Sequence, residues 1–127
     1  MIALLLLLGA GPPSPSVGFS LRDPAGRVRR LDSRVTVVVF AAVDCPLARL
    51  YAPRLAELSK RVPLVLIGSA RDSSTDLARF AAEHRLPFPV LRDPGGAATA
   101  RFGARRSPEA FVVQAGRVRY RGRIDDQ

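Results

Sequence analysis

The chain has 127 residues, 47% of them apolar and 24% charged, with a single cysteine, Cys45. That balance suits one domain with a buried core, and it excludes a disordered chain, an intramolecular disulfide and a cysteine-rich zinc site. Basic residues outnumber acidic ones 20 to 11, a net +9, and all but Lys60 are arginine; they are scattered from Arg22 to Arg123, which argues against a nucleic-acid interface.

Residues 1–11 carry no charge and are too few to span a bilayer as a helix, and Pro12-Pro13-Ser14-Pro15-Ser16 follows. The stretch suits the apolar region of a secretory signal with cleavage near Ala10, so an exported or periplasmic protein is expected. No Lys or Arg precedes the leucines, so a cytoplasmic chain with a misassigned start or a truncated leader is the alternative. Residues 1–16 thus read as leader and spacer, and 17–127 as the folded domain.

From residue 17 the pattern alternates, turns at Asp23-Pro24-Ala25-Gly26 and returns over 28–31, predicting an N-terminal β-hairpin. Residues 35–40 are β-branched and apolar throughout, as in a central strand buried on both faces. Residues 46–61 place Leu47, Leu50, Tyr51, Leu55 and Leu58 at helical spacing, with Pro46 suited to the first turn and Pro53 expected to kink the helix. A second buried strand follows over 64–68. Next, Ser73-Ser74-Thr75-Asp76 offers caps for an amphipathic helix carrying Leu77, Phe80 and Ala81. Residues 88–91 read as a short strand, 97–102 as a short helix ended by Gly103, and 110–113 with 118–124 as a hairpin around Ala115-Gly116. The order predicts a three-layer α/β sandwich with a mixed central sheet. In the last strand, simple alternation puts Arg117, Arg119, Arg121 and Arg123 on one face and Val118, Tyr120 and Ile124 on the other.

Cys45 falls where the central strand gives way to the Pro46 helix. Helix N-terminal amides favour a thiolate there, whereas Asp44 and burial oppose it. His84, the only histidine, lies near a helix end and reads as solvated or capping. Asp93 reads as a turn residue, and Asp125 and Asp126 as end-cap residues. Cys45, His84 and the aspartates have no recognisable metal-ligand spacing.

The strand, Asp44-Cys45-Pro46, the helix with its internal proline, two strand–helix steps and Ser107-Pro108 before a hairpin resemble the thioredoxin-like redoxins. The branch they resemble most is the one grouped with alkyl hydroperoxide reductase and thiol-specific antioxidant domains. Carrying segments are Phe19-Ser20-Leu21-Arg22-Asp23, residues 40–51, Phe88-Pro89-Val90-Leu91-Arg92-Asp93, Arg101-Phe102-Gly103 and Ser107-Pro108-Glu109-Ala110-Phe111-Val112. The resemblance implies a thiol-dependent oxidoreductase or antioxidant needing no cofactor, with Cys45 attacking a disulfide or peroxide. It implies a cis Ser107–Pro108 bond beside the thiol and substrate contacts from Ser107, Pro108, Pro46 and Asp44.

Two departures shape the expectation. Thioredoxins carry a second cysteine where this chain has Ala48, so an external thiol must resolve whatever forms on Cys45. Peroxiredoxins hold peroxide with Thr or Ser and Pro where Ala42 and Val38 stand here, leaving Arg105, Arg106 or Arg71 to supply a guanidinium. Such domains also continue past the hairpin into a helix, which is absent before Gln127; a fragment, or association through an uncovered sheet face, is the expectation. The alternative function is a redox-silent binding module that docks a partner through its basic strand or that face.

Overall fold

In the computed structural model, residues 20–30 and 35–124 are described. The leader and spacer, the parts of the hairpin at 17–19 and at 31, and Asp125 and Asp126 lie outside them. Strands β1 (Ser20–Arg22) and β2 (Val28–Arg30) pair antiparallel. The Asp23 carboxylate holds their turn, accepting the Arg27 amide at 2.9 Å and pairing with the Arg27 and Arg29 guanidiniums. The Arg92 amide donates to the Arg22 carbonyl at 2.9 Å, which ties this hairpin to the main sheet.

The main sheet runs in the order β5-β4-β3-β6-β7. Strands β3 (Thr36–Phe40), β4 (Leu64–Ile67) and β5 (Val90–Leu91) are parallel, and β6 (Glu109–Gln114) and β7 (Arg117–Gly122) complete it antiparallel. β3 takes the centre because its valine run suits burial on both faces; Val38 and Val39 are fully buried. β5 begins only at Val90 because Pro89 has no amide to donate, although its carbonyl still accepts from Leu66 at 3.0 Å.

Three helices connect the strands: α1 (Pro46–Leu58), α2 (Ser74–Glu83) and α3 (Ala97–Phe102). α1 passes through Pro53 and stops short of Arg61, since Pro63 disfavours helical backbone before it and the Ser59 hydroxyl and amide satisfy the last carbonyls. α2 starts with a reciprocal capping box between Ser73 and Asp76. Asp93, almost fully buried, accepts from the Ala98 and Thr99 amides and the Thr99 hydroxyl at 2.7–2.9 Å, so this turn residue caps α3.

Each sheet face has its own core. One packs Val39, Leu64, Leu66 and Val90 against Ala48 and Leu55 of α1 and Leu77 and Phe80 of α2. The other packs Val38, Ile67 and Val113 against Ala98 and Phe102 of α3. A ring cluster of Phe40, Phe102 and Phe111, with centroids 5.0–5.5 Å apart and edges meeting faces, fills the space over this short helix. Both faces therefore carry a helix, which corrects the expectation of one bare apolar face. Among the described residues the large apolar side chains that stay exposed are Val28, Val35, Leu47, Leu50, Leu58 and Tyr120.

The arginine stripe expected on the last strand does not form. Ala115 and Gly116, both at positive φ, close a two-residue turn that pairs Gln114 with Arg117. The register then slips: Val113 faces Val118 but Val112 faces Tyr120, so Arg119 is an extra, bulged residue. Side-chain parity reverses across it. Val118 and Arg121 end on the Phe111 side, and Ile124 packs into the opposite core.

Candidate active site

β3 is central, with its parallel neighbour on one side and its antiparallel neighbour on the other, so the loop leaving its C-terminal end lies at a switch point in the sheet. That loop, residues 41–45, carries the cysteine. Its backbone is pinned from two directions. The Ala42 amide donates to the Ser107 hydroxyl at 2.9 Å, and the Val43 amide donates to the Asp72 carboxylate at 3.3 Å. Asp72, nearly buried, also accepts the Ser69 amide at 2.8 Å, so one carboxylate joins the loops after β3 and β4.

Cys45 is the N-cap of α1, and its side chain makes no capping bond to the helix backbone, where Ser or Asp would. Pro46 occupies the first helical position, where a missing amide costs nothing. The thiol is half-buried and, while protonated, donates to the Ser107 carbonyl at 3.3 Å. The Ser107–Pro108 bond is cis, as the resemblance implies. Burial pushes the Cys45 thiol up, but hydrogen bonds from Ser107 and from the Ala48 and Leu47 amides outweigh it, and Asp44 repels weakly; the net effect lowers its pKa.

The structure thus gathers Cys45, Pro46, Asp44, Ser107 and Pro108 at one corner. The arginines border this corner without a contact to the thiol being shown: Arg105 and Arg106 line a cavity with Ala42 and Ser107 and direct their backbone amides to the Glu109 carboxylate at 2.7 and 3.2 Å, and Arg71 lines a cleft with Asp44 and Arg49. The groups that lower Cys45 are Ser107 and helix amides, with no guanidinium among them. His84 caps the end of α2 with its ring on Phe80, centroids 4.6 Å apart. Among the described residues, no three His, Cys, Asp or Glu side chains converge on a metal-sized site.

Sequence reasoning missed Glu109. Nearly buried, it receives the two arginine amides and, on its other oxygen, the Arg121 guanidinium at 3.1 Å; Arg121 also donates to the Gly103 carbonyl at 2.8 Å and lies 5.2 Å from the Phe111 ring centre. Burial raises the Glu109 pKa, but these donors more than offset it and hold the carboxyl below its ordinary value. Together Glu109 and Arg121 fasten the loop that presents Ser107 and Pro108. The only available signal was an acidic residue directly after Pro108 in a strongly basic segment.

A five-stranded mixed sheet, a helix starting at a thiol and a cis-proline facing that thiol define a thioredoxin-like protein of the redoxin class. The chain belongs to the AhpC/TSA family, whose sequence pattern matches residues 18–121. It is 33% identical over 118 residues to the thiol:disulfide interchange protein DsbE homolog of Paracoccus denitrificans, a match covering 87% of this chain and 64% of that protein. An uncharacterized conserved protein from Geobacillus kaustophilus superposes with a TM-score of 0.79 at 26% identity, over 91% of this chain and 71% of that one. A secreted Mycobacterium tuberculosis disulfide oxidoreductase homologous to E. coli DsbE has the same fold, with a TM-score of 0.71 at 22% identity over 80% of both chains. No helix among the described residues is long and apolar enough to cross a membrane.

Proposed function

We propose that the chain is a single-cysteine thiol–disulfide exchange protein in which Cys45 is the nucleophile and Ser107-Pro108 shapes the substrate contact. The observation that carries this is a half-exposed thiol at the start of α1, facing a cis-proline loop and held by helix amides. The names of the Paracoccus relative and the Mycobacterium structure support the reaction class.

In the first step the Cys45 thiolate attacks one sulfur of a substrate disulfide. A new bond to Sγ forms, the substrate S–S bond breaks, and the departing sulfur leaves as a thiolate that takes a proton from water. Ala48 stands where a second thiol would expel the substrate, so the mixed disulfide waits for an external thiol. That thiolate bonds to the substrate sulfur and releases Cys45. A second external thiol then displaces the substrate, leaving one disulfide between the two reductants.

A disulfide is favoured over a peroxide as the electrophile. Ala42 has no hydroxyl to orient a peroxide, and its amide is already committed to Ser107. A redox-silent docking module would need no accessible thiol, and the partial exposure of Cys45 weighs against it. Export, read from residues 1–16, agrees with the secreted relative.

The direct test treats the folded protein with dithiobis-nitrobenzoate. The expected result is one aromatic thiolate released per chain and a mixed disulfide on Cys45 that persists until glutathione is added. A Cys45→Ser chain should release none. Failure of the native protein to react before unfolding would remove the exchange function.

A further inference from the structure

On the Asp72 side of the cysteine loop lies a cleft of about 320 Å³, and its wall includes Asp44, directly before Cys45. Arg49 continues that wall one helical turn beyond Cys45, whose carbonyl accepts the Arg49 amide at 3.3 Å. Arg71 and Asp72 from the loop after β4, with Asp76, Arg79 and Glu83 from α2, complete the charged lining. Three guanidiniums and four carboxylates therefore surround one space next to the thiol.

These charges do not all satisfy one another. Asp72 is committed to the Ser69 and Val43 amides, and Asp76 to the Ser73 amide in the capping box. The Arg49 Nε donates to the Val43 carbonyl at 3.4 Å. Among the described residues, no ion pair joins Arg71 or Arg79 to Asp44 or Glu83. Arg79 precedes Glu83 by one turn of α2, the less favourable order for a pair on a helix. Two exposed guanidiniums and two exposed carboxylates thus line the cleft uncommitted. A ligand that carries both signs within a few bonds complements such a lining, and an α-amino acid group does so, whereas an internal stretch of polypeptide backbone carries neither charge.

Building on the exchange reading, we propose that this cleft seats a small zwitterionic thiol, and that mixed disulfides of that thiol are the electrophiles Cys45 attacks. Its carboxylates lie against Arg71 and Arg79 and its ammonium against Glu83 and Asp44. The volume is at the lower end for small-molecule sites, and three residues extended span about 10 Å, so a molecule of that size seats its charged end and still reaches the neighbouring thiol. Cys45 Sγ bonds to the seated sulfur, the bond from that sulfur to its former partner breaks, and the partner leaves as a thiolate that takes a proton from water. A second molecule of the small thiol, as its thiolate, then bonds to the seated sulfur. The bond to Sγ breaks, Cys45 is regenerated as a thiolate, and a small symmetrical disulfide departs. Such a cycle needs no second cysteine where Ala48 stands.

The test uses thionitrobenzoate mixed disulfides of glutathione, of its diethyl ester, which lacks the carboxylates, and of its N-acetyl form, which lacks the ammonium. Exchange with Cys45 is followed by release of thionitrobenzoate. The glutathione compound should react about tenfold faster than either masked form, with a rate that saturates as its concentration rises. The net charge of +9 by itself would favour the more anionic N-acetyl form, so this order separates a seat from bulk attraction. R71Q/R79Q should close the gap to the diester and keep the gap to the N-acetyl form; Glu83→Gln should do the reverse. R61Q/R101Q, with the same change in net charge outside the cleft, should keep both gaps. Alkylation by uncharged iodoacetamide should be the same in all these variants.

Equal, unsaturating rates for the three compounds would overturn the seat while leaving the exchange function standing. Gaps that survive in both cleft variants would place recognition elsewhere and overturn it too. If R71Q/R79Q slowed all three compounds and iodoacetamide alike, those arginines would act on the thiolate and not on the ligand, and the inference would fall. An N-acetyl form faster than glutathione would reduce the effect to net charge. No release from any of the compounds, nor from dithiobis-nitrobenzoate, would sink the exchange reading and this inference together.

Discussion

Cys45 is tuned by small opposing effects at a half-buried position. Burial and Asp44 favour the protonated thiol, while Ser107 and the first amides of α1 favour the thiolate and prevail. Ser107→Ala removes one of these stabilising groups and also the acceptor for the Ala42 amide. Alkylation of Cys45 at neutral pH should then slow by about three- to tenfold, the range for a hydrogen bond to a charged group discounted for solvent. An unchanged rate would assign the thiolate's stability to the helix alone. Glu109 makes a separate prediction. Its folded pKa lies below the ordinary 4.5, so it contributes stability that is present above that value and is lost as pH falls through the folded pKa. Glu109→Gln should cost about 1–3 kcal/mol near neutral pH and flatten the acid limb of a melting-temperature profile. At this scale Cys45, Ser107 and Pro108 were legible because chemistry marks them in the sequence. Glu109 and Asp72 were not, because their roles depend on backbone amides that other strands and loops bring to them.

The elements explain why this corner is rigid. α1 begins at an N-cap that contributes a thiol instead of a capping oxygen, leaving its first amides for the thiolate. α2, by contrast, is capped reciprocally, and Ser73→Ala should destabilise the fold by about 1 kcal/mol in chemical denaturation. Gly68 directly follows β4, at the start of the loop that carries Asp72. A Cβ there would come 2.6 Å from Leu77 Cδ2 and 3.2 Å from the Asp72 carboxylate. Leu77 is fully buried and cannot swing aside, so Gly68→Ala should cost about 1–3 kcal/mol and loosen the loop holding Cys45. Denaturant midpoints would measure the first effect, and an alkylation profile whose midpoint moves up toward the ordinary cysteine value the second. Periodicity found these elements because valine runs, N-cap residues and glycine stops act locally. It failed on β7, where one bulged residue at Arg119 reverses the parity of everything beyond and leaves no local mark.

Over the whole molecule, two cores of different construction meet at the central sheet. One rests under two full helices. The other has only a six-residue helix and depends on three interlocking phenylalanines. Phe111, fully buried among them, also lies beneath Arg121 of the Glu109 clamp, so Phe111→Ala should cost about 3–5 kcal/mol and weaken the cis-proline loop with the core. The mixed sheet was foreseeable from the alternation of strands and helices. The covered second face was not, because a short helix and the strand-borne Phe40 and Phe111 share that work. What unites these parts is the placement of one thiol at the end of the central strand. The pH dependence of Cys45 alkylation by iodoacetamide in the folded protein, with Cys45→Ser as the blank, tests that placement most directly. The expected profile rises with a midpoint below the ordinary cysteine value of 9.0. Alkylation that stays absent until the chain unfolds would make Cys45 a structural residue and contradict its role as nucleophile.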